Sequence, residues 1–178
     1  MDPLRVVIDT SSLVSYILTK GEIMSQVISA WRDNDFILLT SPETSAELSA
    51  VLSRPQIKAL STVPLDPLSD GIDKFSLLIP GDLSLTGISR DPKDDKFLAC
   101  AVEGKAHYLI SSDRDLLDIG QYENICILNP GQFLVALQLA KLTPEEIRTQ
   151  YGRATIEKIL GELCLEPGTR EKLASVNP

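Results

Sequence analysis

The sequence is poor in the residues that build soft-metal sites. It has one histidine, His107, and three widely spaced cysteines, Cys100, Cys126 and Cys164, with no CxxC pair. A zinc centre needs about four such ligands at close spacing, so none is expected. Each cysteine sits among apolar residues and reads as a reduced core filler. No apolar run approaches the roughly 20 residues of a membrane span, so no membrane association is expected. The N-terminus lacks a basic stretch followed by a long apolar one, so no secretory leader is expected. A cytoplasmic protein is the resulting expectation. Basic residues are also in deficit: the net charge of −8 argues against a broad basic face for nucleic acid. It leaves room for a small nuclease, whose clustered acids contribute to that charge. Internal repeats and low-complexity blocks are absent.

The 178 residues suit one domain with a tail, and at 43% hydrophobic and 24% charged they can bury a sizeable core. Leu4–Ile8 (LRVVI), Phe36–Thr40 (FILLT), His107–Ser111 (HYLIS) and Ile125–Leu128 (ICIL) are short, near-continuous apolar runs, the pattern of strands buried on both faces of a parallel sheet. Helices are expected from Leu13, over about 22–33, from Pro42 to about Arg54, over about 67–78, 94–103 and 133–142, and again after Thr143. Ser41-Pro42 and Thr143-Pro144-Glu145-Glu146 are helix starts. Gly104 is expected to end the helix over 94–103. Residues 55–70 allow only a short helix or an irregular crossover, and 80–90 a loop with one short strand. The alternation β-α-β-α-α-β-α-β indicates an α/β domain with a mostly parallel sheet.

The chemistry concentrates around Arg90–Leu98 (RDPKDDKFL), where six of nine residues are charged. Asp94 and Asp95 fall at a helix start, and a helix N-terminus tolerates acids, so alone they need no function. Other acids accompany them. Asp9 closes the first strand, Asp113 and Asp115 follow the third, and Glu47 lies on the helix after the second. In a parallel α/β sheet such positions converge at the carboxyl edge. Two unit charges about 4 Å apart repel by roughly 4 kcal/mol at an effective dielectric near 20, so a cluster of carboxylates needs a proton or a cation. All-oxygen ligands favour Mg2+ or Mn2+, and the chemistry that follows is phosphodiester hydrolysis by metal-activated water.

These residues resemble those of the PIN-domain ribonucleases over about 4–140. Asp9 in VVIDTSSLV is similar to the family's first acid, and Glu47 in SPETSAELSAVLSRP to the second. Asp95 in DPKDDKFLACA matches the third, in the pattern Asp-x-x-Leu-Ala, and Asp113 in LISSDRDLL the fourth. Asn129-Pro130-Gly131-Gln132-Phe133-Leu134 matches the closing Pro-x-x-Phe-Leu. The resemblance implies a PIN-like three-layer α/β/α domain over 1–142 with a central mostly parallel sheet, and leaves 143–178 as a C-terminal helical extension. It also implies an Mg2+- or Mn2+-dependent endoribonuclease for single-stranded RNA, with Asp9, Glu47, Asp95 and Asp113 as catalytic metal ligands. Ser12, Asp94, Ser111 and Asp115 could support them, although a helix cap serves equally for Ser12, and a helix start or solvated charge for Asp94 and Asp115. Within the family the chain resembles the toxin components of toxin–antitoxin pairs, which implies an antitoxin partner and a homodimer. Ser111 stands where Thr is more usual, and the tail is longer than in minimal toxins.

Several readings compete. Glu43 is the rival to Glu47, but a capping role suffices for it in a first helical turn. Lys93, Lys96 and Arg114 lie near the acids and could meet RNA phosphates or simply be solvated. His107 reads as structural, and Trp31, Phe97 and Tyr108 as core. Two other functions are open: a phosphatase or phosphoacceptor using Asp9, and a non-catalytic PIN-like binding module.

Overall fold

The computed structural model describes residues 3–176. Six strands form one sheet in the order β3-β2-β1-β4-β6-β5. They are β1 (Arg5–Ile8), β2 (Ile37–Thr40), β3 (Leu77–Leu78), β4 (Tyr108–Ile110), β5 (Gln121–Tyr122) and β6 (Ile125–Leu128). All neighbours are parallel except the hairpin pair β5 and β6. Helices follow the strands: α1 (Thr10–Thr19), α2 (Glu22–Arg32), α3 (Pro42–Leu52), α4 (Pro55–Leu60), α5 (Leu65–Phe75), α6 (Asp95–Glu103) and α7 (Arg114–Leu117). After β6 come α8 (Pro130–Lys141), α9 (Pro144–Gln150), α10 (Arg153–Glu162) and α11 (Pro167–Ser175). This is the expected three-layer α/β/α arrangement with a helical C-terminal region.

Alternation along the strands divides the core. Val6, Ile8, Leu38, Tyr108, Ile110, Cys126 and Leu128 face a large cluster with residues of α1, α2, α8 and the tail. Val7, Leu39, Leu109, Ile125 and Ile127 face a smaller one built on Phe97, Leu98 and Ala101 of α6. Both faces are therefore covered, which is why the strand sequences read as unbroken apolar runs. Trp31, Phe97 and Tyr108 are buried in these clusters. The His107 ring is structural, its Nδ1 accepting the Arg5 amide at 3.0 Å.

Three local expectations are corrected. The short edge strand lies at Leu77–Leu78, not within 80–90, because α5 ends at Phe75 and the chain turns extended at Ser76. A Thr40–Ser76 hydroxyl pair at 2.9 Å and the Ile79 amide donating to the Thr40 carbonyl at 2.7 Å dock it on β2. Gly104 does end α6, but with ordinary backbone angles; Lys105 takes the left-handed conformation. A Cβ at Gly104 would meet Leu39 Cδ1 at 2.6 Å, so close packing of α6 on β2 is what requires glycine there. The cysteines are not all reduced: Cys126 and Cys164 form a disulfide, and only Cys100 is a free thiol. Cys126 points from β6 toward the face that the tail covers, which brings together two residues 38 apart in sequence.

The tail shares the main core through buried Ile147, Ile156, Leu165, Leu173 and Val176. The Glu166 amide donates to the Tyr108 hydroxyl at 3.0 Å. Lys172 Nζ donates to the carbonyls of Leu139, Ala140 and Leu142, satisfying the C-terminal end of α8, where a cation is favoured. Breaking the disulfide by Cys164→Ser should lower unfolding free energy by about 2–4 kcal/mol, the usual range for a loop of this length. Urea denaturation of the variant against the wild type measures this, and an unchanged midpoint would mean the bridge adds nothing to the packed tail.

Candidate functional site: acids at the carboxyl edge of the sheet

Asp9 follows β1 and caps α1. Its Oδ1 accepts the Ser12 amide at 2.8 Å, and its Oδ2 accepts the hydroxyls of Ser11 at 2.7 Å and Ser111 at 2.5 Å. The side chain is buried. Burial pushes its carboxyl above the usual range, against the hydrogen bonds from Ser111, Ser12 and Ser11, which pull it down. Ser111 has a second task. Its Oγ accepts the Asp113 amide at 2.9 Å, so one hydroxyl ties the ends of β1 and β4 together. Ser12 and Ser112 add a hydroxyl contact at 3.0 Å between the same two loops. Asp113 caps α7 by accepting the Asp115 amide at 2.8 Å. Asp115 itself is drawn aside to Arg90, at 3.5 Å, and Arg90 also pairs with Asp118.

The two adjacent aspartates part company. Asp95, the expected third ligand, is 1% exposed. It accepts the amides of Ser89 at 2.7 Å and Ile88 at 3.3 Å, so both its oxygens are used to pin the loop before α6. Asp94 is the residue that feels the others. Its carboxyl is pushed up to about 6, first by burial and then by the charges of Asp113, Asp91, Asp9 and Glu47. Its Oδ2 is buried with no hydrogen-bond partner, and its side chain makes no capping bond to α6. The physical reason is angular. Successive helical residues point about 100° apart, so at the start of α6 one acid faces the sheet edge and the next faces the loop. A reading by local spacing cannot tell which of two neighbouring acids does which. The amides of Ile88 and Ser89, from a segment with no regular structure, bond Asp95, whereas Asp94 Oδ2 has no partner.

Glu47 projects from α3 toward the N-terminus of α6, where it forms an ion pair with Lys96. Glu43 is exposed in the first turn of α3, whose capping hydrogen bonds are made by Ser41 and Thr44. Lys93 and Arg114 are exposed beside the acids.

A family model described as PIN domain matches residues 5–115. The chain belongs to the PIN-domain family. PIN domains are generally metal-dependent nucleases, and the matched span holds Asp9, Glu47, Asp94, Asp95, Asp113 and Asp115. A search of curated proteins finds no match to the chain. In this PIN domain, no three acidic, histidine or cysteine side chains among the described residues stand together closely enough to hold an ion as placed. Asp9 is occupied by serines and Glu47 by Lys96. The donor set nonetheless fits a hard divalent cation: it is all oxygen, it carries mutual repulsion, and it includes an orphaned buried carboxylate oxygen on Asp94.

Asp94 binds its proton more tightly in the folded chain than in the unfolded one. It therefore costs stability as pH rises from about 4 through about 6, and costs nothing below that window. Asp94→Asn should raise the melting temperature at pH 7.5 and leave it unchanged near pH 4. Asp95→Asn should lower stability by about 1–3 kcal/mol, because it places an amide donor against two backbone N–H groups. Thermal melts of both variants at the two pH values check the pair, and the opposite assignment would reverse the signs.

Proposed function

We propose that this protein is a divalent-metal-dependent endoribonuclease acting on single-stranded RNA, with Asp9, Glu47, Asp94 and Asp113 as the acids of its site. Asp94 replaces Asp95 in that set. The observation that carries the reading is the orphaned Asp94 Oδ2, buried among like charges that a cation would satisfy. When bound there, Mg2+ or Mn2+ supplies Lewis acidity toward a phosphate oxygen and an acidified water.

The residues of the chain do the rest. Asp94, Asp9 and Asp113 offer oxygens from three different elements, and Glu47 offers a fourth once its ion pair opens. Ser111 fixes Asp9 relative to Asp113, and Ser12 fixes the loop that carries Asp9. Asp95 acts one step removed, by holding the loop through Ile88 and Ser89 so that α6 presents Asp94. Asp115, paired with Arg90, keeps α7 in place. Lys93 and Arg114 flank the acids and offer charge to RNA phosphates, which a protein of net charge −8 must recruit locally.

The finer form of the reading is a toxin of a toxin–antitoxin pair, homodimeric and held by an antitoxin. The sequence resemblance supports it. Cytoplasmic action belongs to the same reading. The Cys126–Cys164 bridge pulls the other way, since disulfides persist mainly in oxidising compartments and in intracellular proteins of hyperthermophiles.

Cleavage of a fluorescent single-stranded RNA with Mn2+ tests the central statement. Asp94→Asn should lose roughly 10²-fold or more, the scale of removing one charge-stabilising group. Asp95→Asn, compared per folded molecule, should stay within about tenfold of wild type, the low end of losing a supporting contact. Wild-type rates in Asp94→Asn would contradict the assignment. Binding of RNA without cleavage in any divalent ion would favour the non-catalytic module instead.

A further inference from the structure

The ion pair between Lys96 and Glu47 is oddly placed for a structural contact. Lys96 is the second residue of α6, and a positive charge in a first helical turn opposes the helix dipole. Its side chain gains nothing from the helix that carries it. It is held instead by an acid 49 residues away on α3. The two side chains are 22% and 26% exposed, so the pair is partly desolvated and interacts more strongly than a surface pair. Two residues before Lys96 stands Asp94, which feels the charges of Glu47, Asp9 and Asp113. Among the described residues, Glu47 is the one of these four acids with an ion-pair partner.

We propose that Lys96 is an internal counter-cation for Glu47 that a divalent ion must displace, and that this competition sets how tightly the acidic site binds metal. The inference rests on the nuclease-site reading above. Lys96 is a positioning residue in this role: it acts through Glu47. Without metal it neutralises one of the four acids and limits their repulsion. Metal binding that recruits Glu47 breaks the pair and releases an ammonium group beside the site, where a phosphate of the RNA can receive it.

A double-mutant cycle tests this, with MnCl2 titrated into the full chain by calorimetry. Lys96→Met should tighten Mn2+ binding by about tenfold, the equivalent of one modest ion pair. Lys96→Gln serves as a second variant should the first fold poorly. In a Glu47→Gln background, Lys96→Met should change Mn2+ affinity by less than about twofold, since the pair is already gone. Equal tightening in both backgrounds would mean that Lys96 contributes only a general positive field; that result, or no tightening at all, overturns the proposal and leaves the acidic site standing. Mn2+ binding that Asp94→Asn fails to weaken removes the site itself, and the proposal with it. If the wild type binds no measurable Mn2+, binding gained on replacing Lys96 supports the proposal. Binding in neither protein overturns it, and the RNA assay then decides the nuclease reading separately.

Discussion

Repulsion among carboxylates at one end of a parallel sheet is the constraint on which this structure turns. The topology makes it unavoidable. β1 and β4 are adjacent and parallel, so Asp9 and Asp113 leave the sheet on the same side, and α3 and α6 bring Glu47 and Asp94 to that side as well. Each charge is handled differently. Asp9 is stabilised by three hydrogen bonds, Glu47 by an ammonium group, and Asp113 by a backbone amide. Of these four acids Asp94 alone keeps a buried oxygen without a partner; Ser89 Oγ is another such oxygen among the described residues. A folded chain tolerates one such cost when two apolar clusters cover both faces of the sheet, and functional sites are where such costs accumulate.

The strands were legible because burial on both faces leaves an unmistakable apolar run, and Asp9 and Asp113 were legible because they end those runs. Glu47 lies on α3, and its partner Lys96 is too far along the chain for spacing to reveal it. Spacing alone does not separate Asp94 from Asp95, for a definite reason. The pattern Asp-x-x-Leu-Ala fixes a distance from the apolar face of α6, whereas the outcome depends on where the preceding loop returns. The disulfide was missed for a similar reason. Cys126 and Cys164 each have the local setting of a core cysteine, and only the packing of the tail on β6 brings them together. β3 escaped because a two-residue edge strand carries no periodicity at all.

The tail is part of the same argument. The family match ends at residue 115, short of β6 and everything after it, yet α9, α10 and α11 bury residues in the core beneath β1, β4 and β6. Lys172 on the α8 carbonyls, the Glu166 amide on the Tyr108 hydroxyl and the Cys126–Cys164 bridge brace the sheet from below. Tyr108 begins the strand that leads to Ser111 and Asp113, so the tail supports the strand that carries these two residues to the sheet edge.

The most direct test of the assignment is a carbon-detected NMR titration of the aspartate carboxyl groups, with and without Mg2+. Asp94 is predicted to titrate near pH 6 and to shift downward when Mg2+ is added. An Asp94 carboxyl that titrates in the ordinary carboxylate range and does not move with Mg2+ would contradict the account.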